Sequence, residues 1–252
     1  MSPALFEEMD ECLLLFDIDG TLIDAGGAGV GAIRLAVQDL YGDEIAVPEL
    51  DVRGTTDAAL AQKLLPAMGA EVSPRNIAQL YEAYLIRLRE QFQKVSPEAG
   101  ILPGVYELLN TLKKEGVVMG LLTGNLEAGA WIKLERFGLD QYFSFGAFGD
   151  EHPERDKLGP EALAEAERVH QRRFNPMASV VIGDTPRDIS CGRVIGASTV
   201  AVATGAYALE ELSEHNPTLA LRSLEESGVI LDLVSKLSGG RALDSGVRGR
   251  SA

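Results

Sequence analysis

Two aspartates, Asp17 and Asp19, directly follow a short apolar run from Cys12 to Phe16. Two residues apart in extended chain, they point to the same side. Close carboxylates repel one another, and burial makes their ionisation costlier still. Asp184, in Gly183-Asp184-Thr185-Pro186-Arg187-Asp188, adds a third carboxylate and worsens the repulsion unless a hard cation sits among them. Mg²⁺ suits such a place, because it takes a few carboxylates, keeps waters and bridges to phosphate oxygens. A carboxylate can attack phosphorus and form an acyl phosphate, which gives Asp17 the role of nucleophile. Asp19 can protonate the leaving oxygen and then deprotonate the water that breaks the intermediate. Thr123, nearby backbone N–H groups and one of Lys157 or Arg155 can hold the phosphoryl oxygens.

A rival chemistry lies a few residues on. Gly27-Ala28-Gly29-Val30-Gly31-Ala32 satisfies G-x-G-x-x-A, a form of the dinucleotide fingerprint, with Asp51 downstream as the acidic partner. In that motif the first glycine stands at the strand-to-helix turn. Here the turn is taken by Asp17-Ile18-Asp19-Gly20-Thr21, and Gly27 comes ten residues after Asp17. A dinucleotide-binding domain would also leave Asp17, Asp184 and Asp188 without a task.

These residues need a scaffold that brings them together. The run from Cys12 to Phe16 suits a strand buried on both faces, as in a parallel sheet. Similar runs follow at Val117–Leu122, Tyr142–Phe145, Ser179–Ile182 and Ser198–Ala203. Helical patterns separate them: Val105 to Glu115, a second capped by Asn125 and stopped at Gly138, Pro160 to Arg172, and a fourth from Thr185 to Gly196. Strands alternating with helices predict an α/β fold, a Rossmann-like parallel sheet covered on both faces. Ligands of such sheets bind beyond the carboxyl ends of the strands, where Asp17, Thr123 and Asp184 stand.

Between the first two strands the pattern is helical. Ile33, Val37 and Leu40 fit one helix, and Thr56 caps another carrying Leu60, Leu64 and Leu65. Ile77, Leu80, Tyr81, Tyr84, Leu85, Leu88 and Phe92 form a packing stripe on a third. An all-helical cap over residues 25–97 is thus inserted into a core of residues 1–24 and 98–237. Gly26–Gly29 and Ser96–Gly100 are its linkers, the glycines serving as hinges. Residues 238–252, rich in Gly, Ser and Arg, read as a disordered tail. Val52 to Asp57 is the cap segment placed to reach the site. There Arg53 can pair a substrate carboxylate or second phosphate, and Thr55 joins Thr21, Gly124 and Asn125 as a substrate-binding candidate.

With those residues in view, FDIDGTL, LLTGN and VVIGDTPRD resemble the first, second and fourth motifs of the haloacid dehalogenase superfamily of hydrolases, in the same order and over nearly the whole chain. The inserted helices resemble that superfamily's first type of cap. The resemblance implies Asp17 as nucleophile and Asp19 as acid/base. It implies Mg²⁺ held by Asp17, the Asp19 main-chain carbonyl and Asp184, with Asp188 close by, and Thr123 on the phosphoryl group. The third motif calls for a basic residue and fits loosely at Lys157-Leu158-Gly159-Pro160. Lys157 is preferred, a compact ammonium being the usual choice, with Arg155 as the alternative. Superfamily members that cleave C–halogen bonds lack the second aspartate, so Asp19 favours phosphate esters. The chain is similar to phosphoglycolate phosphatase-like proteins. A phosphomutase of the beta-phosphoglucomutase type is the alternative on the same core, ahead of a phospho-binding protein without turnover.

Composition agrees with a small anionic substrate offset by a metal. Of 252 residues 46% are apolar, and 23 basic against 38 acidic residues give a formal net charge of -15. So acidic a surface disfavours nucleic acid and anionic membrane. Cys12 and Cys191 read as reduced, packed thiols. The segment MSPALFEEMDE has no secretory pattern and no apolar run approaches a membrane span. The expectation is a cytoplasmic monomer or homodimer.

Overall fold

A computed structural model describes residues 11–43, 45, 47–48, 51–94 and 98–240. Chain order begins with β1 (Leu13–Phe16), β2 (Ile23–Asp24), α1 (Ala28–Tyr41), α2 (Asp57–Ala67), α3 (Pro74–Gln93) and β3 (Gly100–Ile101). It continues with α4 (Val105–Lys114), β4 (Val118–Leu122), α5 (Glu127–Phe137), β5 (Gly146–Ala147), α6 (Leu158–His170), β6 (Ser179–Gly183) and α7 (Pro186–Ile195). It closes with β7 (Ser198–Val202), α8 (Leu209–Glu214), β8 (Leu219–Leu221) and α9 (Ser227–Leu237).

Six strands form one parallel sheet in the order β5-β4-β1-β6-β7-β8. β1 is fully buried, as its unbroken apolar sequence requires. Its register sets Phe16 beside Leu121 on one side and Ile182 on the other. Asp17, Thr123 and Asp184 therefore emerge one or two residues beyond a common level. One face of the sheet packs Leu14, Phe16, Leu121 and Ile182 against Leu108, Leu109, Leu134 and Ile230. The other packs Leu13, Leu15 and Val181 against Leu158, Ala162 and Ala166. At about 25 cal/mol per Å² of apolar surface, each such side chain contributes roughly 1.5–3 kcal/mol of transfer free energy.

The inserted helices have their own core. Leu80, Tyr84, Leu88 and Phe92, four residues apart on α3, are buried with Ile33 and Val37 of α1 and Leu60, Leu64 and Leu65 of α2. Leu126, at the start of α5, extends this cluster into the sheet domain. Thr56 caps α2 as expected, its hydroxyl accepting from the Ala59 N–H at 3.2 Å. The chain leaves and re-enters the core through a two-stranded antiparallel ribbon, with Ile23 opposite Ile101 and Asp24 opposite Gly100. The sequence pattern does not reveal this ribbon, because two-residue strands carry no periodicity.

Two expectations need correction. The run Tyr142–Phe145 is not the strand; Asp140–Tyr142 is a 3₁₀ turn and the strand is Gly146–Ala147. The aromatic residues instead fill the core, Phe143 meeting Phe16 edge-on at 5.9 Å. The edge strand needs small residues, since a Cβ on Gly146 would lie 2.7 Å from that of Leu121. The glycine linker is also shorter than expected. Gly26 and Gly27 have positive φ (57° and 76°), but Gly29 already lies within α1. The G-x-G-x-x-A pattern is thus mostly helix and forms no strand-to-helix phosphate loop. Of the other linker and the tail, Ser96, Pro97 and residues 241–252 lie outside the described residues, as do residues 1–10. No helix of the described residues is long and apolar enough to cross a membrane.

Candidate active site

The carboxyl ends of β1, β4 and β6 open into a cleft of about 480 Å³ roofed by the cap. Asp17, Asp19, Thr123, Gly124, Asn125, Arg155 and Asp184 line it from the core. From the cap come Arg53, Thr55, Asp57 and Tyr84, with apolar Val30, Ile33 and Leu60 behind them.

Asp17, Asp184 and Asp188 are buried, and one oxygen from each falls within 4.8 Å of the others. Burial, with the like charges of Asp188 and Asp17 nearby, pushes the Asp184 carboxyl up to about 9. Asp17 is pushed up to about 6, chiefly by burial, although Arg155 opposes this. The Asp184 Oδ1 is buried without a hydrogen-bond partner among the described residues. A Cβ on Gly20 or on Gly205 would overlap the Asp184 carboxylate, so both glycines leave it room to approach the backbone. Gly20 adds a φ of 80°, which few other residues adopt. All-oxygen donors, one of them unpartnered, fit a hard divalent cation.

Asp188 stands behind this group. Its Oδ2 accepts from the Thr185 N–H at 3.0 Å and the Thr185 hydroxyl at 2.7 Å, which caps α7. Its Oδ1 receives Arg155 Nη2, which also lies 3.2 Å from Asp17 Oδ1. Of the two third-motif candidates, Arg155 is therefore the one that reaches Asp17 and Asp188. Burial works against its charge, but Asp188 and Asp17 hold it ionised. Lys157, preferred on sequence, points to solvent with its side chain 57% exposed and pairs with Glu154 at 2.9 Å. The two belong to one 3₁₀ turn, Arg155–Lys157, where residues two apart face different directions.

Asn125 does not cap α5, contrary to expectation. Its Nδ2 donates to Asp19 Oδ2 and to the Thr123 hydroxyl, each at 2.8 Å. The exposed end of α5 is satisfied from elsewhere: Asp57 accepts from the Leu126 N–H and Asp150 from the Glu127 N–H, both at 2.7 Å. In return the Asp57 N–H donates to the Gly124 carbonyl at 2.8 Å and the Ala58 N–H to that of Gly149 at 2.9 Å. The N-terminus of cap helix α2 is thus tied to the core, Asp57 accepting from the start of α5 while the Gly124 and Gly149 carbonyls accept from α2.

Lys133 escaped the sequence reading. Its side chain, only 4% exposed, bonds Asp19 Oδ2 and Asn125 Oδ1, each at 2.6 Å. Of the substrate candidates, Thr55 is buried and its hydroxyl accepts from Arg187 Nη1 at 2.6 Å. Arg53 lies over the Tyr207 ring at 5.4 Å and pairs with Asp51 at 2.7 Å. Thr21 is fully buried and is not among the residues lining the cleft.

Burial pushes the Asp57 carboxyl up from 3.8 to about 6, despite the Leu126 N–H it accepts and the nearby Lys133 ammonium. The fold therefore holds this proton more tightly than the unfolded chain does. That contribution to stability is complete below about pH 4 and is lost as pH rises through about 6. Asp57→Asn keeps an acceptor for the Leu126 N–H and removes the titration. Melting temperatures across this window are expected to fall less steeply in the variant; parallel profiles would refute the assignment.

The sequence profile of the haloacid dehalogenase-like hydrolases matches residues 14–202. The chain belongs to this family. It is 29% identical over 228 residues to a phosphoglycolate phosphatase of Vibrio parahaemolyticus, covering 87% of this chain and 95% of that one. It is 29% identical over 202 residues to an N-acetylmuramic acid 6-phosphate phosphatase of Pseudomonas aeruginosa, covering 80% and 86%. Among solved structures, CbbY from Rhodobacter sphaeroides in complex with phosphate superposes with a TM-score of 0.69 at 19% identity, over 87% of this chain and 97% of that one. Family and relatives together make this chain an enzyme of the phosphatase class.

Proposed function

We propose that the chain hydrolyses a small-molecule phosphate monoester by way of a phosphoaspartyl intermediate on Asp17, and that Mg²⁺ is its cofactor. The observation that carries this reading is the meeting of Asp17, Asp184 and Asp188 with the buried Arg155 under the cap. Asp17, Asp184 and the Asp19 main-chain carbonyl would hold the ion, with Asp188 behind them. When bound, the cation offsets the carboxylate charge and polarises the phosphoryl oxygens.

The remaining chemistry falls to the side chains. Asp17 attacks phosphorus as the ester P–O bond breaks, and the leaving oxygen takes a proton from Asp19. Water then attacks the same phosphorus, Asp19 accepts its proton, and Asp17 is released. Thr123 and Gly124 sit where β4 delivers them to the cleft and are assigned to the phosphoryl oxygens, with the Asn125 side chain tied to Thr123 and Asp19. Arg155 orients Asp17 and supplies the positive charge of the third motif. Core residues 1–24 and 98–237 provide this machinery, and cap residues 25–97 close over it and exclude water.

A cleft of about 480 Å³ walled partly by Val30, Ile33 and Leu60 suits a small ester. Phosphoglycolate, the substrate named for several relatives, is the first to test. Arg53 is the cap residue assigned to its carboxylate. Release of inorganic phosphate is measured over a panel of small phosphate esters with Mg²⁺, then after EDTA. Activity is expected to vanish with EDTA and return with Mg²⁺. Metal-independent turnover would overturn the cofactor, and transfer to a sugar hydroxyl without phosphate release would favour the mutase.

A further inference from the structure

We propose that Lys133 is a positioning residue for proton transfer, holding Asp19 so that one carboxyl oxygen stays fixed and the other is left to serve the leaving group. The inference rests on the hydrolytic reading above and extends it to a residue outside the four motifs.

Asp19 Oδ2 accepts from two donors, Lys133 Nζ at 2.6 Å and Asn125 Nδ2 at 2.8 Å. Among the described residues both hydrogen bonds to this side chain go to Oδ2, which leaves Oδ1 for the proton. Lys133 and Asn125 are themselves tied at 2.6 Å, and Asn125 is tied to the Thr123 hydroxyl at 2.8 Å. The network thus runs from α5 through the second motif to Asp19 and fixes four side chains together. Asp19 needs this restraint because its side chain is 40% exposed, whereas that of Lys133 is 4% exposed. A half-exposed carboxylate samples several rotamers, and proton transfer requires one of them.

The surroundings hold Lys133 in place. Its stem lies on the buried face of α5 with Gly129, Ala130 and Leu134. On the cap side, a Cβ on Gly29 would lie 3.8 Å from both Lys133 Nζ and Tyr84 Oη, so the start of α1 leaves room beside the ammonium and the Tyr84 hydroxyl. A lysine on a buried helix face needs a hydrogen-bonding partner. This one is paired with the carboxylate that the reaction uses.

As the ester bond breaks, its electron pair goes to the leaving oxygen and the proton comes from Asp19. A basic leaving group depends on that proton and a good one does not. The test is kcat/KM for phenyl, para-nitrophenyl and 2,4-dinitrophenyl phosphate, in decreasing order of leaving-group basicity. Lys133→Met is expected to lower the value for phenyl phosphate on the order of 100-fold and that for 2,4-dinitrophenyl phosphate no more than about threefold. In an Asp19→Asn background, where no proton is left to position, the same change is expected to cost no more than about twofold. Equal losses on all three esters, or an undiminished loss in the Asp19→Asn background, would overturn the proposal while leaving the phosphatase reading intact. A parent enzyme that hydrolyses none of the three would overturn both. Should Lys133→Met fail to fold, Lys133→Gln, which keeps a hydrogen-bonding side chain without the charge, is judged by the same criteria.

Discussion

Asp17→Asn is expected to abolish phosphate release, on the order of 10⁴-fold or more, while the melting temperature changes little. The amide nearly matches the carboxylate in shape but cannot attack phosphorus, so the covalent step is lost and the cleft remains. The small effect on stability follows from opposing contributions at the same atoms. Burial and the charges of Asp188 and Asp19 disfavour an ionised Asp17, whereas Arg155 favours it. A neutral side chain removes the first two penalties and weakens the last attraction. Steady-state release of phosphate from para-nitrophenyl phosphate with Mg²⁺ present, read beside a thermal melt, checks both halves. Substantial turnover in a folded variant would remove Asp17 from the role of nucleophile. Unfolding would show that Arg155 needs its charge more than the carboxylate cluster is relieved by losing it.

The sequence exposes some of this site and conceals the rest for physical reasons. Asp17, Thr123 and Asp184 are legible because each ends a strand buried on both faces, and such strands are unbroken apolar runs. The cap is legible because Leu80, Tyr84, Leu88 and Phe92 recur at helical spacing. Asn125 misleads because an Asn before a helical pattern is a good cap in isolation. In the fold Asp57 and Asp150, distant in sequence, take over the N–H groups and free Asn125 for Asp19. A local rule failed where a tertiary partner replaced the local one, and that replacement lies at the functional site. Lys133 did leave a signal. It falls in phase with Ala130 and Leu134 on the apolar face of α5, where a lysine needs a buried partner. Periodicity alone could flag the conflict but could not name the partner, since Asp19 lies 114 residues away.

Exchange at the third motif is expected to separate the two basic residues sharply. Arg155→Met should lower kcat/KM for para-nitrophenyl phosphate by at least about 100-fold and cost about 3–5 kcal/mol of stability. Lys157→Ala should change either by little. The contrast follows from where each charge sits. Arg155 lies between Asp188 Oδ1 and Asp17 Oδ1, with its side chain 5% exposed, so its removal leaves two buried carboxylates facing one another. Lys157 pairs with Glu154 on the surface, both side chains more than half exposed, and such pairs contribute little in water. Spacing cannot choose between the two, because the turn that carries them sends only one toward the sheet. Arg155→Lys is the finer probe: it keeps the charge but loses the planar fork and some reach, and should fall between the parent and Arg155→Met. Stability from thermal or denaturant melts and activity from the same ester decide the matter together. A variant of Lys157 that loses activity while Arg155→Met retains it would reverse the assignment. Loss at Arg155 restored by added Mg²⁺ alone would show that the metal, rather than the guanidinium, balances Asp17.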